Sequence, residues 1–189
     1  MKPGRRALGV AESYRGTDDA GARSTLAGAV VRADRSVDGL VFAECTVGGT
    51  DATDALVDAW RRLDREDTTY LFLSGVSLAW YNVVDVERLA AAVDRPVIAV
   101  TYEDGHGLGD GIADAFDDGA RERRLATYES LPPRRRLEGV AEGPLHVRSA
   151  GVDPVEADHA LAAFTHDRRP EPVRVAKLAA RAADGFRRD

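Results

Sequence analysis

The chain has 189 residues, 44% of them hydrophobic, and a formal net charge of -6, which predicts a globular domain with a substantial core and an acidic surface. Because Cys45 is the single cysteine, an internal disulfide is excluded. No segment approaches the roughly 20 apolar residues that a membrane-spanning helix needs, so a protein of that class is excluded as well.

The first third of the chain predicts three β-strands followed by a helix. No helical period separates the strands, so they should pair as an antiparallel meander. From Thr50 the hydrophobic period becomes helical. The strands are predicted at residues 6–11, 26–31 and 38–45, and the apolar stripe of the helix consists of Ala55, Leu56, Ala59, Trp60 and Leu63.

The rest of the chain predicts further strands and helices within one domain that covers residues 1–189. A short apolar run before Ser74 is typical of a strand buried on both faces, and a helix and a second buried strand follow it. A helical tail begins at about residue 153. Strands are predicted at 70–73, 97–100 and 145–148, helices at 85–93, 110–128, 154–164 and 170–186, and a loop at 130–143.

This order of elements favours an α/β protein of the ribonuclease H-like fold. Three antiparallel strands, a crossover helix, two parallel strands joined by a helix and a helical tail form a mixed sheet flanked by helices. Crossovers between parallel strands are almost always right-handed, which limits the alternatives. A flavodoxin-like sheet is the main competitor, but it needs helices between the first three strands, and the sequence lacks room for them.

Acidic residues at three places in this architecture would converge on one or two Mg²⁺ ions in a nuclease. The places are the end of the first strand, the start of the first crossover helix and the end of the fourth strand. In this chain they hold Ala11-Glu12, Asp51 with Asp54, and Ser74, while Asp85 begins the next helix.

Several segments resemble the archaeal endonuclease dU family, which is related to endonuclease V. The likeness covers nearly the whole chain in the right order, and its Asn-Val-Val-Asp and Pro-Glu-Pro-x-Arg blocks are fairly specific. The segments are Leu8-Gly9-Val10, Gly49-Thr50-Asp51-Ala52-Thr53-Asp54-Ala55, Gly75-Val76-Ser77, Asn82-Val83-Val84-Asp85, Pro96-Val97-Ile98-Ala99-Val100, Val147-Arg148-Ser149-Ala150-Gly151 and Pro170-Glu171-Pro172-Val173-Arg174.

The resemblance implies a DNA-repair hydrolase that needs Mg²⁺ or Mn²⁺ and cleaves DNA near deaminated bases such as deoxyuridine. The family usually ends its first strand with two Asp and its fourth with Asp-Gly, where this chain has Ala11-Glu12 and Ser74-Gly75, so we expect attenuated activity. The expected catalytic residues are Glu12, Asp51, Ser74 and Asp85, and the expected metal ligands are Glu12, Asp51 and Asp54. The expected DNA contacts are Trp80, Tyr81, Asn82 and Arg174.

Other interpretations of these residues stay open. Asp51, Asp54 and Asp85 are also typical helix-cap acids, Asn82 is typical of a turn, and the two aromatic residues could cover the edge of the core. Two other classes of function therefore remain, a non-catalytic module that binds nucleic acid or protein with the same fold, and a small-molecule binder at the same strand ends.

Composition and termini also predict where the protein works. The chain has 21 Asp and 24 Arg but only two Lys, which favours a host that has a GC-rich genome and lives in concentrated salt. The resemblance implies that this host is archaeal. At molar salt the Debye length is about 3 Å, so the acidic surface does not exclude DNA as a partner. The amino terminus does not predict a signal peptide, because Glu12 interrupts its first apolar run, and we expect a cytoplasmic protein.

Overall fold

The computed structural model describes residues 4–14, 16, 22–102 and 107–188. Seven strands form one sheet in the order β3-β2-β1-β4-β7-β9-β8, and a separate two-stranded hairpin, β5-β6, follows β4. The strands are β1 (Arg6–Glu12), β2 (Arg23–Arg32), β3 (Val37–Thr46), β4 (Thr68–Leu73), β5 (Ser77–Leu78), β6 (Asn82–Val83), β7 (Val97–Thr101), β8 (Arg135–Ala141) and β9 (Gly143–Ala150). The helices are α1 (Ala52–Leu63), α2 (Val86–Val93), α3 (Gly109–Ala115), α4 (Asp118–Glu129), α5 (Pro154–Phe164) and α6 (Glu171–Arg188).

The strand directions agree with the predicted mixed sheet. β1, β2 and β3 pair as an antiparallel meander. β4 lies parallel to β1, and β7 lies parallel to β4. Because β1, β4 and β7 are parallel, their carboxyl ends meet at one edge of the sheet, where ligands bind in open α/β sheets.

Three details of the predicted elements are wrong. The helix predicted at 110–128 is two helices, because the chain is extended at Phe116, whose ring packs 4.9 Å from that of Trp80. The predicted loop at 130–143 contains β8, which pairs with β9. β8 lies at the edge of the sheet and is largely exposed, so its sequence lacks the apolar alternation that would have predicted a strand. The hairpin β5-β6 was not predicted.

Helices cover both faces of the sheet. On one face, Leu8 and Leu71 pack with Leu56 of α1 and Leu89 of α2. On the same face of α1, Trp60 is half-buried against this core. The other face carries a second core beneath α5 and α6, formed by Ala7, Tyr70, Phe72, Ile98, Leu161, Phe164 and Val173. No helix in the part of the chain that the structure describes is long and apolar enough to cross a membrane.

Helix α6 lies directly on β1, and Gly9 makes this close approach possible. A Cβ atom at Gly9 would lie 2.1 Å from the Pro172 carbonyl carbon and 2.3 Å from its oxygen. Only a residue without a side chain leaves room for the first turn of α6 there. This contact sets the height of α6 above the sheet and hence the reach of its later side chains toward the strand ends.

Arginines close the outer edge of β3. An edge strand offers unpaired carbonyl groups to which a strand of another molecule could bind. In this protein arginine side chains already donate hydrogen bonds to them, which blocks extension of the sheet. The pairs are Arg65 with the Asp38 carbonyl at 2.9 Å, Arg62 with that of Phe42 at 2.9 Å, and Arg23 with that of Glu44 at 3.0 Å.

Candidate functional site at the strand ends

Asp51 joins the start of α1 to the end of β3 and to the hairpin β5-β6. One carboxylate oxygen, Oδ1, accepts hydrogen bonds from the Thr46 amide at 3.0 Å and from Asn82 Nδ2 at 2.7 Å. The other, Oδ2, accepts from the Thr46 hydroxyl at 2.9 Å and from Arg23 Nη1 at 3.0 Å. Asn82 Oδ1 in turn accepts from the Ala52 amide at 2.9 Å, so Asn82 satisfies the first turn of the helix.

These contacts keep Asp51 ionised. Burial alone would raise the pKa of Asp51, but the hydrogen bonds from Thr46, Asn82 and Arg23 outweigh it and lower the pKa to about 2. Asn82 is itself fully buried, with both ends of its amide engaged, so it positions Asp51. Its expected role as a DNA contact finds no support in this geometry.

Glu12, at the end of β1, is held by a lysine from α6. Lys177 Nζ donates to the Glu12 backbone carbonyl at 2.7 Å and lies 3.2 Å from Glu12 Oε1. The Glu12 side chain is 15% exposed. Its other oxygen, Oε2, is buried and has no hydrogen-bond partner among the described residues. The carboxylate is therefore neutralised on one side and has a free acceptor on the other.

The negative charges of Asp51 and Glu12 both act on the thiol of Cys45. Both charges contribute to the raised pKa of the Cys45 thiol, which is about 12 chiefly because the thiol is buried. Such a thiol stays protonated and unreactive. We therefore assign Cys45 a packing role in the core.

Asp54 and Asp85 each make structural contacts, and their expected roles as metal ligand and catalytic residue remain predictions. Asp54 is exposed and pairs with Arg88 Nη1 at 2.9 Å. The side chain of Asp85 accepts from the Arg88 amide at 2.9 Å and so caps α2. The Asp85 amide donates to the Thr53 hydroxyl at 3.0 Å, which ties α2 to α1. The helix-cap interpretation of Asp85 therefore has direct geometric support.

Ala11 and Ser74 occupy neighbouring strand ends. β1 and β4 pair with Val10 opposite Leu73, and the Ser74 amide donates to the Val10 carbonyl at 3.0 Å. Ala11 is fully buried and belongs to a small core cluster with Ala29, Val31 and Ala176 of α6. The two positions at which the resemblance implies acids thus carry a methyl group and a hydroxyl.

The side chains at this edge do not fit the Mg²⁺ site that the resemblance implies. Mg²⁺ is held by carboxylates that are free to coordinate it. Here Asp51 already accepts from four donor groups, and Glu12 is paired with Lys177. Within the described ranges, no group of three or more His, Cys, Asp or Glu is placed so that it could hold a metal ion. The expected ligand set of Glu12, Asp51 and Asp54 remains a prediction without geometric support.

Trp80 and Tyr81 lie in an aromatic cluster with Phe116. The ring centroids of Trp80 and Phe116 are 4.9 Å apart, and those of Tyr81 and Phe116 are 6.1 Å apart. The Arg124 guanidinium stacks 3.8 Å from the Phe116 centroid. Ala79, Trp80 and Tyr81 all have positive φ angles, of 42°, 59° and 57°. Trp80 and Tyr81, which we expected to contact a base, are thus half-buried, and their packing against Phe116 holds the strained turn in place.

A pocket of about 310 Å³ opens beside Ser74, at the carboxyl ends of β4 and β7. Arg148 lies with its guanidinium 5.2 Å from the centroid of the Tyr128 ring, and the Tyr128 hydroxyl accepts from the Leu108 amide at 3.1 Å. Arg134 Nη2 reaches the Thr101 hydroxyl at 3.4 Å.

The charge of this pocket is opposite to that of the chain. Two arginines and a histidine line it, and no Asp or Glu is among the described residues that do so. No local sequence pattern links the two arginines and the histidine, although Arg148 lies in one of the segments that carry the resemblance. The lining residues used below are Ser74, Thr101, Tyr128, Arg134, His146 and Arg148.

Arg174 lies on the first turn of α6 and is half-exposed. Its guanidinium donates to both carboxylate oxygens of Glu171, at 2.7 and 2.6 Å, and these bonds lower the pKa of Glu171. This pair stabilises the start of the helix, because the acid lies at the positive end of the helix dipole. A contact of Arg174 with DNA remains a prediction.

Solved structures define the class of this fold. Endonuclease V of Ciona intestinalis, in complex with a 24mer DNA containing an inosine followed by a ribo-adenosine, matches with a TM-score of 0.62 at 13% identity, covering 96% of this chain and 87% of that one. A protein of unknown function from Archaeoglobus fulgidus matches with a TM-score of 0.81 at 26% identity, covering 94% and 97%. The chain therefore has the ribonuclease H-like fold of endonuclease V, as predicted.

Sequence similarity identifies the family. Residues 3–184 match the model of the family described as Endonuclease dU. A UPF0215 protein from Pyrobaculum aerophilum is 33% identical over 181 residues, which cover 95% of this chain and 94% of the relative. The chain belongs to the endonuclease dU family, which confirms the resemblance.

Proposed function

We propose that this protein binds DNA at a deaminated base, in particular deoxyuridine, and does so without metal-dependent cleavage. The observation that carries the proposal is the pocket beside Ser74, which is cationic in an acidic protein. Such a pocket favours an anionic ligand, and a phosphodiester is one. The nuclease-like fold and the family support DNA as the source of that ligand.

The size and chemistry of the pocket suit a single nucleotide. Its volume lies near the lower end of the range for ligand sites, which is about 300 to 1,000 Å³. In the proposal, Arg134 and Arg148 contact phosphate, Tyr128 offers an aromatic face to the base, and the hydroxyls of Ser74 and Thr101 face the polar edge of the base. A mismatched or damaged base leaves the helix at a lower free-energy cost, which is one source of selectivity.

The contacts of Glu12 and Asp51 support the absence of cleavage, because each carboxylate is already paired with a side-chain cation.

The proposal also includes a cytoplasmic location, since the buried free thiol of Cys45 suits a reducing compartment.

Slow incision with Mg²⁺ or Mn²⁺ is a second candidate function. The specific observation that favours it is the buried Glu12 Oε2, which has no hydrogen-bond partner among the described residues and could accept a ligand. Family membership supports it as well.

One set of duplexes tests both candidates. Labelled duplexes of one sequence would carry U·G, hypoxanthine·T or C·G at a single position, and fluorescence anisotropy in molar KCl with EDTA would give their affinities. We expect the damaged duplexes to bind at least about tenfold tighter, a difference of about 1.4 kcal/mol. Equal affinity for the three duplexes would refute recognition of deaminated bases.

Two variants locate the site. Arg148→Gln should reduce affinity at least about tenfold, because it removes a charge-assisted contact to phosphate. Arg136→Gln is the matched control, because Arg136 is exposed on β8 and pairs with Glu138. Equal losses in both variants would move the site away from the pocket. Incision with Mg²⁺ or Mn²⁺ on a denaturing gel, abolished by Glu12→Gln, would establish the second candidate in place of the first.

A further inference from the structure

Lys177 lies on α6, and its side chain reaches the carboxyl end of β1. It follows Ala176, which packs against Ala11, and its side chain ends at Glu12. Only 21% of the Lys177 side chain is exposed. Lysine is rare in this protein, with two residues against 24 arginines, so a lysine ammonium at a strand end is unusual for this chain.

The ammonium group has the properties of a compact fixed cation. A lysine ammonium is a point charge with three donors, whereas a guanidinium is a broad planar fork. At Glu12, one ammonium contacts two oxygens, the backbone carbonyl at 2.7 Å and Oε1 at 3.2 Å. The ammonium thus contacts a strand-end carbonyl oxygen and a carboxylate oxygen. A bound metal ion would have the same kinds of oxygen atoms around it.

Its position also explains why acids are not needed at positions 11 and 74. A carboxylate at either strand end would balance a divalent ion, but a single ammonium is already balanced by Glu12. The carboxylate of Asp51 is likewise balanced by the positive charge of Arg23. Among the described residues, a divalent cation entering this edge would meet two fixed positive charges, and the Glu12 and Asp51 carboxylates each already have a side-chain cation as partner. Like charges repel, so the two cations oppose its entry.

We propose that Lys177 is a built-in substitute for the divalent metal of this fold, whose ammonium neutralises Glu12 and keeps Mg²⁺ and Mn²⁺ out of the strand-end site. Restoring an acid at position 74 is therefore insufficient to create a metal site while Lys177 is present. The inference shares the Glu12–Lys177 pair with the proposed absence of cleavage, but it does not rest on DNA binding. Metal binding measured without DNA therefore tests it separately from DNA recognition.

Manganese affinity measured on the whole protein without DNA tests this inference. Free Mn²⁺ is counted by electron paramagnetic resonance at constant ionic strength for Ser74→Asp and for Ser74→Asp/Lys177→Met. Ser74 lines an open pocket, so the added carboxylate finds space there. Because Arg134 and Arg148 line the same pocket, each Ser74→Asp variant is compared only with another variant that carries the same change. We expect the double variant to bind Mn²⁺ at least about tenfold tighter than Ser74→Asp, and the wild type to bind none at the strand end.

The control is Ser74→Asp/Arg181→Met, which removes a positive charge from an exposed position of the same helix. It should bind Mn²⁺ as Ser74→Asp does. The inference is overturned if Ser74→Asp alone binds as tightly as the double variant, if the Arg181 control gains equally, or if removing Lys177 changes nothing. If circular dichroism shows that the double variant is unfolded, Lys177→Met compared with the wild type carries the same test, with Mn²⁺ binding expected in Lys177→Met and none at the strand end of the wild type.

Discussion

Replacing Gly9 by alanine should lift α6 off the sheet. The added Cβ would lie 2.3 Å from the Pro172 carbonyl oxygen and 2.4 Å from the Val173 nitrogen. Non-bonded heavy atoms prefer roughly 3.5 to 4.0 Å, so the first turn of the helix would have to move by more than about 1 Å. The atoms that the new Cβ would contact belong to the backbone, so no flexible side chain can rotate away to relieve the clash.

The expected loss of stability follows from that displacement. Overpacking of a core costs about 1 to 3 kcal/mol, and a clash with backbone belongs at the upper end. The lower entropy of an unfolded chain with alanine offsets about 0.4 to 1 kcal/mol of it. We therefore expect Gly9→Ala to lose about 2 to 3 kcal/mol, or about 5 to 10 °C in Tm for a chain of 189 residues.

Gly185→Ala is the matched control, because it lies in the same helix and a Cβ there would have no atom within 4 Å. It should raise the free energy of unfolding by about 0.5 to 1 kcal/mol through helix propensity. Urea unfolding followed by circular dichroism measures both variants. A Gly9→Ala protein within about 0.5 kcal/mol of the wild type would refute the reasoning that α6 rests directly on β1.

Three further predictions concern charge and packing. Asp51 has a folded-state pKa of about 2 against an ordinary 3.8, so its contribution is present above pH 4 and is lost as the pH falls toward 2. The pKa shift is equivalent to roughly 2.4 kcal/mol, but the side chain is 40% exposed, so solvent screening reduces its contribution. We expect Asp51→Asn to cost about 1 kcal/mol at pH 7 and about zero at pH 2 in urea unfolding. A cost that does not change with pH would contradict the assignment. Trp60→Ala should cost about 2 to 3 kcal/mol, less than for a fully buried Trp because Trp60 is half-buried, and a cost under about 1 kcal/mol would show that this face of α1 is not packed. The urea midpoint should rise between 0.2 and 2 M KCl, because 21 aspartates repel one another when unscreened; an unchanged midpoint would end the halophile interpretation.

The sequence alone determined the elements whose signal is local. Strands buried on both faces, such as β4 and β7, are continuous apolar runs, and α1 has a helical period, so their order and the fold class were predictable. The edge strand β8 was missed because an exposed strand does not need apolar alternation. The break at Phe116 was missed because it depends on packing against Trp80, which is distant in sequence.

The tertiary structure alone decided which charges meet. Lys177 and Glu12 are separated by 165 positions, and Asn82 and Asp51 by 31, so no local pattern links them. The sequence showed Ala11 and Ser74 where the resemblance implies acids, but it could not show that an ammonium lies at the end of β1, nor that Arg148 faces a pocket beside Ser74. Hydrophobic periodicity reports burial along one element, whereas a site is made where the ends of several elements converge, and only the folded chain brings those ends together.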